Sequence, residues 1–275
     1  MLLFVEAVAV GAAVGLLAGA LGIGGGILAI PVLVYLLGQD PHAATAESLV
    51  IVIITSAAAL PSRFKHHQVR LGIGVLFGLC SAVGAIGGSY LNAYVPSNAV
   101  MYAFSALLAV VAVVMLRNAL LARRKENAAL ATGVTLAEHE AGEEADDVAF
   151  SWSRLPLMLA LGTVTGVMVG FFGIGGGFMM IPVLMLALKF SIRTAAGTSF
   201  IVITVTSLIS LASRLGTHVE FDPLVALLFA IGSGAGAAIG SPLSNRARPS
   251  TLTFIFVVLL IAVAIYTLVA TLLGL

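Results

Sequence analysis

The segment GIGGGILAIPVL, residues 22–33, recurs as GIGGGFMMIPVL at residues 173–184, 151 positions later, with nine of the twelve positions identical. Three consecutive glycines in each copy, Gly24, Gly25 and Gly26 and then Gly175, Gly176 and Gly177, stand between apolar runs. Glycine costs about 1 kcal/mol inside a helix, so both stretches predict irregular backbone. Irregular backbone at membrane depth persists only where protein or a water-filled cavity satisfies its polar groups. Interruptions at matching positions of two halves point to the binding site of a carrier.

The surrounding composition places these breaks in a membrane. The chain is 60% apolar and 9% charged, with a mean hydropathy of +1.15. The runs 71–91, 97–116 and 251–275 carry no charge. Such a chain reads as a multi-pass helical membrane protein and not a soluble domain. The first apolar segment contains Glu6 and lacks a basic leader, so it reads as a transmembrane helix and not a signal peptide. Cys80, the single cysteine, reads as a small buried hydrophobe.

Residues 122–153 break the apolar pattern and hold seven of the chain's twelve acidic residues. They read as a polar cytoplasmic linker, with some helix, between a first repeat at 1–121 and a second at 154–275. Each repeat offers five apolar segments, near 3–21, 27–38, 42–61, 71–91 and 97–117, and near 154–172, 178–189, 192–212, 223–243 and 250–273. The 151-residue register also aligns Asp40 with Ser191, both suited to cap a helix, and Arg63 with Arg214. Segment 27–38 covers roughly 18 Å as a helix. That is short of the ~30 Å hydrocarbon core, so GIGGG must end inside the bilayer. The alternative is close helix packing, which the GxxxG pairs Gly15/Gly19, Gly84/Gly88, Gly166/Gly170 and Gly236/Gly240 serve better than consecutive glycines do.

Charge sets the orientation. Arg63, Lys65 and Arg70 form one basic loop and Arg117, Arg123, Arg124 and Lys125 another, with no Lys or Arg at 92–97 between them. The positive-inside rule puts both basic loops in the cytoplasm. Loop 213–222, which corresponds to 62–70, then falls outside. The expected fold is therefore an all-α polytopic membrane protein of two inverted repeats, with helices broken at the GIGGG loops and both termini outside.

Few residues carry chemistry. GIGGG lacks the Lys-Ser/Thr of a phosphate-binding loop, and no HExxH is present. No enzyme, cofactor, metal or nucleic-acid partner is expected. The polar residues that remain suit a small anion. Ser48, Thr198 and Ser199 lie in the second turns of their helices, and Thr55, Ser56, Thr206 and Ser207 two turns deeper. With the glycines, Ser48, Thr198 and Ser199 are candidate substrate-binding positions, since hydroxyls and backbone N–H groups donate to oxyanions. Thr55, Ser56, Arg63, Thr206, Ser207, Arg214 and His218 are candidate pathway residues. Arg63, together with Lys65, His66 and His67, reads more simply as a cytoplasmic anchor. Glu47, roughly 9 Å into its helix, is either a proton carrier or a carboxylate still reached by interfacial water.

The two GIGGG-x4-PVL copies and Ala196-Gly197-Thr198-Ser199 resemble the TauE/SafE family of sulfite exporters and sulfonate permeases over nearly the whole chain outside 122–153. That resemblance implies a repeated helical fold in the bacterial cytoplasmic membrane, moving small anions such as sulfite, sulfoacetate or other sulfonates. It implies that the glycine loops and the Thr-Ser positions line the translocation site. Glu47 stands where the family pattern has a threonine. A secondary carrier, single or as a homo-oligomer, is the leading reading; the rival is a non-transporting scaffold or a metal-centre assembly subunit.

Overall fold

The computed structural model describes residues 2–131, 155–174, 177–188, 190–214, 222–243 and 249–273. Its regular structure there is all helical. The elements are α1 (Leu2–Leu21), α2 (Gly26–Pro31, continuing as a π-helical turn over Val32–Leu36), α3 (Pro41–Lys65), α4 (Leu71–Tyr94), α5 (Ser97–Ala131), α6 (Leu155–Phe172), α7 (Gly177–Ala187), α8 (Ile192–Arg214), α9 (Pro223–Leu243) and α10 (Pro249–Leu273). Among the described residues six helices are long and apolar enough to cross a bilayer: α3, α4, α8, α9, the part of α5 up to Arg117 and α10 from Thr251. The molecule is an all-α polytopic membrane protein.

Local chemistry sets the helix boundaries. Asp40 Oδ1 accepts the His42 N–H at 2.8 Å, with Pro41 at the first helical position, so α3 begins there. Ser191 Oγ accepts the Thr194 N–H at 3.3 Å and starts α8. In α2, Pro31 has no N–H to give the preceding turn. The helix widens directly after it, and the Leu37 N–H reaches the Val32 carbonyl at 3.0 Å. Helix α5 runs to Ala131, ten residues into the polar stretch, because ARRKENAALA is built from good helix formers. The rest of the expected linker, 132–153, lies outside the described residues.

The two halves exchange helices. α1 packs along α9, and α4 along α6. Each pair matches a helix of one half with the non-equivalent helix of the other. Glycines make the approach close. A Cβ at Gly15 would overlap the Ser233 carbonyl and one at Gly236 the Ala12 carbonyl; Gly84 meets Thr163 and Gly166 meets Ser81 in the same way. All four GxxxG pairs are thus packing sites, where missing side chains let backbones touch. Within each pair the contacts advance in the same direction: Gly11, Gly15 and Gly19 face Phe229, Ser233 and Ala237 in turn. Both pairs run parallel.

Helices α3 and α8 cross the middle antiparallel. Arg214, at the end of α8, reaches Thr45 at the start of α3, and Thr198, near the start of α8, reaches Arg70 just beyond the end of α3. Both are two-thirds buried, more than any other candidate span. The short helices α2 and α7 complete the core with Ile27, Ile30, Leu33, Met180, Ile181 and Leu184, all at most 1% exposed. Leu79, Val83, Val113, Ile239 and Tyr266 remain exposed on the outer face, as lipid contact requires.

Candidate functional site

Residues 22–25 are not helical, and Gly22, Gly24 and Gly25 adopt φ of 80°, 74° and 85°. These left-handed values are open to glycine and strained for other residues. The GIGGG motif divides its work. Gly22 lies against Ala196, Gly26 against the Ile174 carbonyl, and Gly173 against the Thr45 carbonyl, each a close approach to the opposite half. Gly24 and Gly25 face side chains of mixed character, a Cβ at Gly24 lying 3.1 Å from Ile203 Cδ1 and one at Gly25 3.5 Å from the Thr55 methyl. A Cβ at Gly24 would lie 3.4 Å from Ser56 Oγ, and one at Gly25 3.6 Å from both Thr55 Oγ1 and Ser233 Oγ. Gly175 and Gly176 lie outside the described residues, and Gly177 opens α7.

The hydroxyls of α3 and α8 form two groups. Ser48 Oγ donates to the Gly173 carbonyl at 2.5 Å, and Ser199 Oγ to the Gly22 carbonyl at 2.9 Å. Ser48 and Ser199 are equivalent in the repeat, as are Gly173 and Gly22, so each half pins the other's turn. Thr198 Oγ1 accepts the Arg70 N–H at 3.1 Å. These three, proposed from sequence as substrate-binding, are therefore committed to backbone in this conformation. Deeper in the helices, Thr55 Oγ1 bonds the Ile51 carbonyl and pairs with Ser233 Oγ at 2.7 Å, while Thr206 bonds the Val202 carbonyl. Ser56 and Ser207, again equivalent, are fully buried, and neither Oγ has a hydrogen-bond partner. Buried polar groups are normally paired, and among the described residues Ser210 Oγ, one turn beyond Ser207 and fully buried, shares this unpartnered state.

The arginines repeat the symmetry. Arg63 Nη2 donates to the Gly19 and Ala20 carbonyls, each at 3.2 Å, and Arg214 Nη2 to the Gly170 carbonyl at 2.6 Å. Gly19 and Gly170 are equivalent, so each guanidinium closes the last turn of the helix that leads into its own half's glycine turn. A cation there satisfies orphan carbonyls and complements the helix dipole. Arg63 is 1% exposed. Its sequence reading as a surface anchor is corrected: Lys65, His66 and His67 are exposed, but Arg63 turns inward to the α1 terminus. His218 lies outside the described residues.

Glu47 is buried to 0% exposure. Its Oε1 accepts the Asp222 N–H at 3.0 Å, and its Oε2 has no partner. Sequence reasoning missed Ser233, Thr45 and Asn92, whose Nδ2 donates to the Phe171 carbonyl at 2.7 Å. A signal existed for Ser233. Gly84 and Gly88 lie 152 residues before Gly236 and Gly240, one more than the glycine motifs, and the same spacing pairs Ser81 with Ser233. Thr45 falls opposite the apolar Ala196 in the 151-residue register, so the repeat carried no signal for it. Asn92, near the end of an apolar run, looks like any residue at a membrane surface.

The sequence model of the family described as "Sulfite exporter TauE/SafE" matches residues 7–267. The chain belongs to the TauE/SafE family. A probable membrane transporter protein of Xylella fastidiosa is 31% identical to it over 259 residues, covering 93% of this chain and 91% of the relative. The probable membrane transporter protein YunE of Bacillus subtilis is 28% identical over 269 residues, covering 94% and 95%. No solved structure matches the chain. TauE/SafE membership and the apolar helices identify a membrane transporter, a multi-pass protein consistent with the bacterial inner membrane.

Proposed function

We propose that this transporter is a secondary carrier of small oxyanions, with sulfite or a sulfonate such as sulfoacetate as substrate. The observation that carries the reading is the equivalent pair of buried, unpartnered hydroxyls, Ser56 and Ser207, on the antiparallel helices α3 and α8. Ser56 lies beside Gly24 and Ile203, and Ser207 is one helical turn, about 6 Å, beyond Ile203. A hydroxyl donates one hydrogen bond, and the turns of Gly24 and Gly25 bring backbone into the same region, so an oxyanion finds several donors at mid-span.

Arg63 follows Ser56 by seven residues and Arg214 follows Ser207 by seven, two turns along the same face, about 10 Å. Opposite helix directions put these cations toward opposite ends of the pathway. Each draws an anion inward and must release a helix terminus when its end opens. The inverted halves make the two openings equivalent. In this reading Gly24, Gly25, Ser56 and Ser207 meet the substrate, with Gly175 and Gly176 as second-half counterparts, while Ser48, Thr198 and Ser199 hold the turns that shape the site. Matched breaks in both halves favour a carrier over a scaffold, which needs no interruption.

Thermal unfolding of purified protein with sulfite, sulfoacetate and methanesulfonate tests the binding step. A ligand at a hundred times its Kd stabilises by about 2.7 kcal/mol. Stabilisation by at least one of these anions, absent with chloride at equal ionic strength, is the expected result. No shift with any of them counts against the assignment.

A further inference from the structure

Glu47 and Thr198 are equivalent in the 151-residue register, and the fold gives them one shared task. Thr198 Oγ1 accepts the N–H of Arg70, the residue that precedes α4. Glu47 Oε1 accepts the N–H of Asp222, the residue that precedes α9, the counterpart of α4. A threonine suffices for that contact in the second half. The carboxylate of the first half supplies in addition a second oxygen, Oε2, fully enclosed and bonded to nothing. Resting on the carrier reading above, we propose that Glu47 is the proton-coupling residue, binding a proton at Oε2 whenever the anion passes the Ser48–Gly173 turn and releasing it on the other side.

The surroundings suit that role. Asp222 turns its own carboxylate to the start of α9, where Oδ1 accepts the N–H groups of Leu224 and Val225. Arg214, from the end of α8, places Nη1 on Thr45 and Nη2 on the Gly170 carbonyl. His42, in the first turn of α3, contacts Asn92 of α4. Asp40 caps α3. Glu47 forms no ion pair with any of these described residues. An uncompensated carboxylate in this setting is costly, and a second negative charge beside it more so. A proton on Oε2 forms one O–H bond, removes the charge, and leaves Oε1 free to keep the Asp222 contact. Anion and proton therefore favour each other's presence and travel in the same direction. A monovalent anion moving with one proton is electroneutral, so a gradient of one pH unit supports about tenfold accumulation.

The test uses purified protein in liposomes with a trapped pH indicator, and methanesulfonate, sulfoacetate and sulfite as probes. Wild-type vesicles should accumulate anion along an imposed pH gradient and acidify as they do so. Glu47→Thr, which copies the residue of the second half, and Glu47→Gln, which keeps the acceptor and the shape, should both lose accumulation and acidification. Both should still exchange labelled for unlabelled anion, which needs no net proton. Either variant accumulating anion along the pH gradient as wild type does overturns the proposal. Wild-type exchange without response to pH overturns the proton step alone and leaves the carrier reading standing. No flux of any probe in wild-type vesicles overturns both.

Discussion

The hydroxyl of Ser48 holds the carbonyl of Gly173 at 2.5 Å, joining α3 of the first half to the glycine turn of the second. Its counterpart, Ser199 on Gly22, closes the reverse link at 2.9 Å. The Gly22 and Gly173 carbonyls each accept their hydroxyl from the other half. The turns are held between α3 and α8, so movement of one long helix relative to the other changes both turns together.

Ser48→Ala and Ser199→Ala should each destabilise the protein by about 1–3 kcal/mol, because each leaves a buried carbonyl without its donor. The two contacts share no partner, so the double variant should show nearly the sum. Chemical or thermal unfolding in detergent measures both. Strong non-additivity would mean that the two turns do not act as separate pins.

Ser56→Ala and Ser207→Ala should behave in the opposite way. Removing a buried hydroxyl that has no partner costs no internal hydrogen bond, so thermal stability should hold or rise. Anion affinity should fall, by about 1–3 kcal/mol per lost donor if the bond is charge-assisted. Unfolding curves with and without sulfite separate the two effects. Reduced stability with unchanged anion response would assign these serines to structure.

Gly15→Val and Gly166→Val should disrupt assembly of the helix pairs, since a side chain at either position meets backbone of the neighbouring helix. Overpacking of this kind typically costs about 1–3 kcal/mol, and more where backbone itself is the obstacle. Gly72 and Gly87 have open space around the added Cβ, and alanine there should be tolerated. Size-exclusion profiles of the four variants, run in parallel, make the comparison.

Much of this architecture was legible in the sequence. Two near-identical motifs 151 residues apart, the caps Asp40 and Ser191, and the GxxxG spacings all report local or periodic constraints, which a linear chain displays. The division of labour among hydroxyls was not legible. Whether a serine is pinned, like Ser48, or open, like Ser56, depends on which carbonyl of the other half lies opposite. Arg63 misled for a related reason: charge counting treats an arginine near a loop as an anchor, yet one helical face carries it back to Gly19. Ser233, which contacts Thr55, is matched by Ser81 only after the repeat slips by one residue, so a fixed 151-residue spacing passes over it.

The inverted-repeat reading of the sequence predicts that Lys65→Cys and Asp222→Cys, each in a Cys80→Ala background, react with an impermeant thiol reagent from opposite sides of the membrane. Intact cells and inverted vesicles provide the two sides. Reaction of both from the same side would exclude inverted halves.

Contact of Ser56 and Ser207 with the transported anion is read by counterflow of radiolabelled sulfite into proteoliposomes. Wild-type protein should drive transient uptake against unlabelled sulfite inside, and the Ser56→Ala/Ser207→Ala double variant, folded and reconstituted to the same density, should not. Equal counterflow by the double variant, or none by the wild type, would contradict it.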